Sequence, residues 1–168
     1  MNVTRTYDIE LIRSVVTSDT FWDDVTEDGQ EKEYYEPNLQ KYIWLRVDGN
    51  ELVALIAVEA IEGYTVRVHP MVLAEHRDVS RETMVELVRW LDTTDYEKIT
   101  ADIPKIYRHV RLFALDAGLK QEGVRTSCHL KNGEMHDMYS YSATRKEINE
   151  RFKDGWSKFR QKCSKGTN

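Results

Sequence analysis

The 168-residue chain has no apolar run approaching the roughly 20 residues needed to cross a bilayer, and we expect no membrane association. Cysteine is nearly absent. Cys128 and Cys163 are the only two, and they match no metal-ligand spacing. That excludes a disulfide framework and a cysteine-rich zinc site, and reads as two reduced thiols in a cytosolic protein. The opening residues MNVTRTYDIE lack the charged-then-apolar order of a signal peptide. A basic excess is missing too, since the formal net charge is −5. Neither an internal repeat nor a low-complexity segment is present.

What the chain does have is an ordinary globular composition, 40% hydrophobic and 32% charged, in a length that suits one core. Its charge is unevenly placed. From Arg145 to Asn168 eight Lys or Arg oppose three acids, giving +5 and leaving −10 on residues 1–144. An acidic body argues against nucleic-acid binding, because the phosphate backbone demands a positive face. We therefore divide the chain into a body over 1–144 and a basic tail over 145–168. In that tail Ile148, Phe152, Trp156, Phe159 and Cys163 recur at helical spacing, interrupted by Gly155. The stripe suits an extra helix folded onto the body, or one that binds a protein partner.

The body reads as β-α-loop-β-β-β-α-β-α-β-β. Val3 to Tyr7 is a short strand, and Asp8 caps a helix carrying Ile9, Leu11, Ile12, Val15 and Val16. Tyr42–Val47 and Leu52–Ile61 flank Asp48-Gly49-Asn50, a hairpin signal resting on glycine's tolerance of positive φ. The second run is apolar on both faces, as a central strand should be. Gly63 turns into a third strand, Tyr64–Leu73, where Pro70 predicts a bulge or splay. A helix follows Ser80, and Pro104 stops a strand over Lys98–Ile103. Val110, Phe113, Ala114 and Ala117 share a helix face ended by Gly118. Val124–Leu130 and Met135–Ser142 flank a turn at Asn132-Gly133.

Gly118-Leu119-Lys120-Gln121-Glu122-Gly123-Val124-Arg125, followed by Lys131-Asn132-Gly133-Glu134-Met135-His136-Asp137, resembles the ending of GNAT (Gcn5-related N-acetyltransferase) proteins. The likeness is to the ribosomal-protein N-acetyltransferase branch and to bacteriophage-encoded relatives. Val68-His69-Pro70, Glu75-His76-Arg77, Arg89-Trp90-Leu91 and the run Lys98–Pro104 carry the phage resemblance. It covers residues 3–145 and implies an α/β (α+β) fold, a mixed, mostly antiparallel sheet flanked by helices, here with an extra C-terminal helix. It also implies acetyl-CoA as cofactor and an amine-bearing small molecule or protein as acceptor. The location it implies is the cytoplasm, or a host cytoplasm or virion for a phage protein.

GNAT enzymes hold the cofactor's pyrophosphate with a glycine-rich loop before a helix, whose amides and dipole attract anions. Here that place is filled by Arg77-Asp78-Val79-Ser80-Arg81-Glu82, which keeps an arginine and loses the glycines. Asp78 and Glu82 would each repel the phosphates, by about 1 kcal/mol when screened by solvent. The candidate cofactor-binding residues are Val72, Leu73, Arg77, Val79, Ser80 and Arg81, with the main chain at Val72 or Leu73 facing the thioester. Ser80 reads equally as a helix cap. Candidate catalytic residues are His69, which titrates near neutrality, then Glu59 on the adjacent strand, and Tyr107 as a phenolic acid. The family's usual tyrosine falls near Ala114. His109, His129 and His136 suggest no nucleophilic triad, and Asp137 reads as orienting its hairpin. The acid-rich stretch Asp19–Glu36 is either a solvated loop or an attractor for a cationic amine. Two functions follow: an acyl-CoA-dependent N-acyltransferase, or an inactive relative serving virion assembly or binding a host protein.

Overall fold

The computed structural model describes residues 1–152, so Gly155, Trp156, Phe159 and Cys163 lie outside the described residues. Seven strands form one sheet: β1 (Asn2–Arg5), β2 (Tyr42–Asp48), β3 (Leu52–Glu62), β4 (Thr65–Val72), β5 (Lys98–Pro104), β6 (Lys120–Lys131) and β7 (Glu134–Thr144). Their order is β1-β2-β3-β4-β5-β7-β6. Every neighbouring pair is antiparallel except β4 and β5, which run parallel. Helices α1 (Ile9–Val16), α2 (Trp22–Val25), α3 (Ser80–Leu91) and α4 (Arg108–Asp116) complete the body, and residues 145–152 are helical.

β3 alternates its side chains between two cores, as a strand's two-residue period requires. Ala54, Ile56 and Val58 join Met84, Leu87, Val88 and Leu91 of α3 on one face. Leu55 and Ala57 join Ile12, Val15 and Val16 of α1 on the other. Leu55 and Ile56 are wholly buried, each contributing about 1.5–3 kcal/mol by leaving water. Ile148 is buried in the α3-side core and Phe152 packs against it, so this part of the apolar stripe covers the body.

Local chemistry explains the ends of these elements. Asp8 accepts a hydrogen bond from the Leu11 amide at 3.0 Å, capping α1. Gly118, at φ +93°, sits just past the α4 cap in the left-handed region that glycine tolerates. Asn132 and Gly133 both have positive φ, the requirement of a tight type I′ hairpin turn. A capping signal absent from the expectations above lies at Thr144-Arg145-Lys146-Glu147. The Glu147 amide donates to the Thr144 hydroxyl at 3.2 Å while Glu147 accepts from the Thr144 amide at 2.9 Å, a reciprocal cap starting the last helix.

Two expectations change, and the expected splay at Pro70 is found. Gly49 has no positive φ; a Cβ there would meet Val53 Cγ2 at 3.3 Å, so space rather than backbone freedom favours glycine. Pairing of β3 with β4 runs straight through Ile56↔Pro70, and the register shift falls at Ala60/Glu62 instead. The splay lies on the opposite edge of β4. There, pairing with β5 is limited to Thr65↔Lys98, Val66↔Ile99 and Arg67↔Thr100.

Candidate functional site

Where β4 and β5 part, a cleft of about 370 Å³ opens between them. Residues from both faces of the sheet line it. Val68, Pro70, Val72, Met84, Val110 and Phe113 come from the α3–α4 side, and His69, Met71, Asp102, Phe21, Asp24 and Val25 from the other. A ligand in the cleft would therefore meet groups from two separate surfaces at one point in the sheet.

The amides along β4 decide what the cleft's edge can donate. The Leu73 amide donates to the Val53 carbonyl of β3 at 3.0 Å. Leu73 is thus engaged by the sheet and is not the donor facing the cleft. Strand alternation then turns the Val68, Pro70 and Val72 positions toward β5. Pro70 has no N–H, so on the stretch past Val68 the Val72 amide is the donor left on that edge.

His69 lines the same cleft and lies edge-on to the Tyr42 ring, with centroids 6.4 Å apart. Burial first, then the Arg67 guanidinium, lowers its proton affinity below the ordinary histidine value, which keeps it neutral at pH 7. Glu59 does not line the cleft. Its carboxylate is held by Arg67 at 3.1 Å and Lys41 at 3.4 Å, because Glu59 pairs directly with Arg67 across the strands. Asp102 does line it but is similarly occupied, by Arg67 at 3.0 Å, Arg125 at 2.8 Å and the Ser140 hydroxyl at 2.6 Å. These side chains form a charge-compensated ladder across the sheet. It leaves His69 as a neutral imidazole in the wall, which His109 also lines.

Tyr107 sits at the mouth, and its hydroxyl donates to the Asp23 carbonyl at 2.8 Å. Burial, reinforced by Asp24, Asp23 and Asp28, pushes its pKa up to about 12. It is a fixed proton-bearing tie between α2 and the start of α4. Ala114 lines the cleft, so no phenol stands at that position.

The segment before α3 departs most from expectation. Residues Ala74–Val79 form a 3₁₀ helix running into α3, with a kink at His76. The His76 amide donates to Leu73 O at 2.9 Å, and the Ser80 amide and hydroxyl both return to Arg77 O. Ser80 is the first helical residue and Val79 the cap, so the reading of Ser80 as cap is corrected. Val79 packs against the core and does not line the cleft. Arg77 and Ser80 line it, whereas Asp78 and Glu82 do not, so neither acid plugs the opening. Arg81 turns to Asp116 at 2.9 Å.

The acid-rich stretch contains α2 and a short 3₁₀ turn at Lys32–Tyr34, and much of its charge is committed within the fold. Asp28 accepts from the Asn132 and Gly133 amides at 3.1 and 2.7 Å, gripping the hairpin turn. Glu27 meets buried His129 at 3.3 Å, Glu36 meets Arg13 at 2.6 Å, and Asp19 meets Lys32 at 2.5 Å. Asp137 accepts from the Ser127 amide within its hairpin at 3.1 Å. Asp24 is different: it lines the cleft and, among the described residues, has no ion pair.

This seven-stranded sheet with its parted parallel pair is the GNAT fold, and solved structures agree. A spermidine N-acetyltransferase (SpeG) from Vibrio cholerae in complex with CoA and spermine superposes with a TM-score of 0.69. It is 13% identical, and the match covers 88% of this chain and 98% of that one. The protein smu.2055 from Streptococcus mutans gives 0.67 at 16% identity, over 86% and 99% of the two chains. By sequence, residues 3–154 match the family described as "Protein of unknown function (DUF2824)", and the chain belongs to that family. No curated protein matches it. Among the described residues, no helix is long and apolar enough to cross a membrane, and no cluster of His, Cys, Asp and Glu could hold a metal.

Proposed function

We propose that the protein is an acyl-CoA-dependent N-acyltransferase whose reaction takes place where β4 and β5 part. The observation that carries this reading is the pairing of one cleft-facing amide, at Val72, with a neutral imidazole, His69, in the same wall. Bound acyl-CoA would supply the acyl group as an activated thioester. The gap between the strands suits its narrow arm, and Arg77 stands in the lining for its charged end. Val72 N–H donates toward acyl oxygen, where negative charge grows during transfer. His69 accepts the proton lost by the acceptor amine. Asp24 draws a cationic amine to the mouth, and the Tyr107–Asp23 tie holds that wall still. Glu59 positions Arg67 rather than acting as base.

The test is a thermal melt with acetyl-CoA, followed by thiol release with spermine and with a lysine-containing peptide as acceptors. A raised melting temperature and acceptor-dependent release support the reading. No shift at millimolar acetyl-CoA counts against it. One observation favours a second reading: the His76 and Ser80 amides return to Leu73 O and Arg77 O, which weakens the usual phosphate cradle. On that reading the fold is kept for binding a protein, as in virion assembly or capture of a host protein. Stable recovery of one partner without thiol release would support it.

A further inference from the structure

On the side of the sheet that carries α1, the cleft is walled by apolar side chains and holds little free negative charge. Phe21 and Met71 line it, and both are buried in the core beneath α1, so this wall is backed by packed structure. Val25, the last residue of α2, lines the same side and is left 44% exposed. An apolar side chain open at the rim gains from any ligand that takes it out of water. Two carboxylates line this side, Asp24 and Asp102. Asp102 is already answered by Arg67 at 3.0 Å and Arg125 at 2.8 Å. With Lys41 on Glu59, that ladder sets three cations against two acids, so it repels a further ammonium. Among the described residues the Asp24 carboxylate has no ion pair, and its charge is felt at the Tyr107 phenol in the same mouth. The neighbouring acids do not line the cleft: Glu27 meets His129, Asp28 holds the hairpin turn, and Asp23 lies 3.9 Å from Lys131. The acceptor side thus pairs one uncommitted carboxylate with an apolar wall, the usual make-up of a site that orients a mainly apolar ligand through a single polar group.

We propose that the acceptor is a primary amine with a single positive charge and an apolar group a few bonds away, its ammonium seated at Asp24 and its apolar flank against Phe21, Val25 and Met71. This deepens the transferase reading and rests on it for the reaction, while the binding preference stands on the wall itself. A polyamine fits poorly. Its further ammonium groups would meet either the apolar wall or the net-positive ladder, and an unpaired charge stripped of water there is costly. Two sources share the proposed chemistry: a free arylalkylamine, and a polypeptide whose first residue is apolar.

Titration calorimetry of the full chain, with and without CoA, tests the proposal using phenethylamine, 2-phenylethanol, the peptide amide Phe-Gly-Gly and spermine. Thiol release from acetyl-CoA is followed with each amine. Phenethylamine or the peptide is expected to bind about ten-fold tighter than spermine, the return on burying one apolar group. The better of the two identifies the source. The uncharged alcohol, alike in shape, should bind more weakly than phenethylamine. Asp24→Asn is expected to weaken phenethylamine by about two- to five-fold, as for a solvent-screened ion pair. Val25→Ser should weaken it and leave spermine unchanged. Both side chains are exposed, so melting temperatures should hold in both variants. Tighter binding of spermine, no binding of any amine, or monoamine affinity unmoved by both variants overturns the proposal. Thiol release driven best by spermine overturns it too and leaves the transferase reading standing. The expected binding preference without any thiol release upholds the amine seat and sinks the transferase reading.

Discussion

Proline at position 70 removes an amide from the edge of β4 that faces β5, and this shapes the chemistry on offer. With Leu73 bonded to Val53, donation toward the cleft narrows to Val72. His69 lies between these positions, and its side chain is turned to the α1 face, where an acceptor would approach. Replacing His69 with Gln keeps a polar side chain and removes the base. We expect kcat/KM to fall about 10²- to 10⁴-fold with little change in CoA affinity, read from steady-state kinetics beside calorimetry. The pH profile gives a separate check. Because burial and Arg67 hold the imidazole below the ordinary value of 6.5, the acid limb of kcat/KM should fall below that pH. A limb at or above 6.5 would assign the proton to another group.

The loop from α1 to β2 acts as a unit because its carboxylates are built into neighbours. Asp28 holds the β6–β7 turn, Glu27 meets His129, and Lys131 Nζ donates to the Thr26 carbonyl at 3.2 Å. Asp28→Ala should therefore speed hydrogen exchange at the Asn132 and Gly133 amides and loosen α2, as mass spectrometry would detect. Unchanged exchange at the turn would show that the carboxylate adds nothing. At the far end of the hairpin, Thr144→Ala breaks the reciprocal cap with Glu147 and should cost about 1 kcal/mol in urea unfolding. Glu147 is held at about 2 chiefly by Lys120, then by the Thr144 amide and hydroxyl.

These elements also show what could be read beforehand. Asp8, Gly118 and Asn132-Gly133 act through their nearest neighbours in the chain, so their roles were visible in order and spacing. The doubly apolar run of β3 announced a central strand for the same reason. The partners of Asp28 lie more than a hundred positions away, and no local pattern carries such a contact. The 3₁₀ path of residues 74–79 was hidden differently. Missing glycines signalled a poor cradle, but not that the His76 and Ser80 amides fold back onto Leu73 and Arg77. Thr144-Arg145-Lys146-Glu147 carries its capping spacing in the local sequence, directly ahead of the apolar stripe.

Across the whole molecule, the two cores share β3, and two histidines of lowered proton affinity lie in different places on the sheet. His69 stands in the cleft wall, and His129 closes the hairpin onto the acid-rich loop, flanked by Glu27, Asp28, Lys131 and His136. Burial lowers the proton affinity of each, with Glu27 opposing the effect at His129. The folded chain then binds fewer protons than the unfolded chain just below pH 6.5, the ordinary histidine value. Stability must fall as pH drops through that value, levelling only below the folded-state values. A second decline belongs to Asp19, Asp28, Glu122 and Glu147, whose lowered values place it below about pH 4.5; their exposure keeps it small. Urea midpoints measured from pH 8 to pH 3 should show both steps. Carrying Gln at both 69 and 129 should flatten the upper step and spare the lower one. If the upper step persists in that variant, the protons enter elsewhere, and the cleft histidine is not the neutral imidazole that the proposed transfer requires.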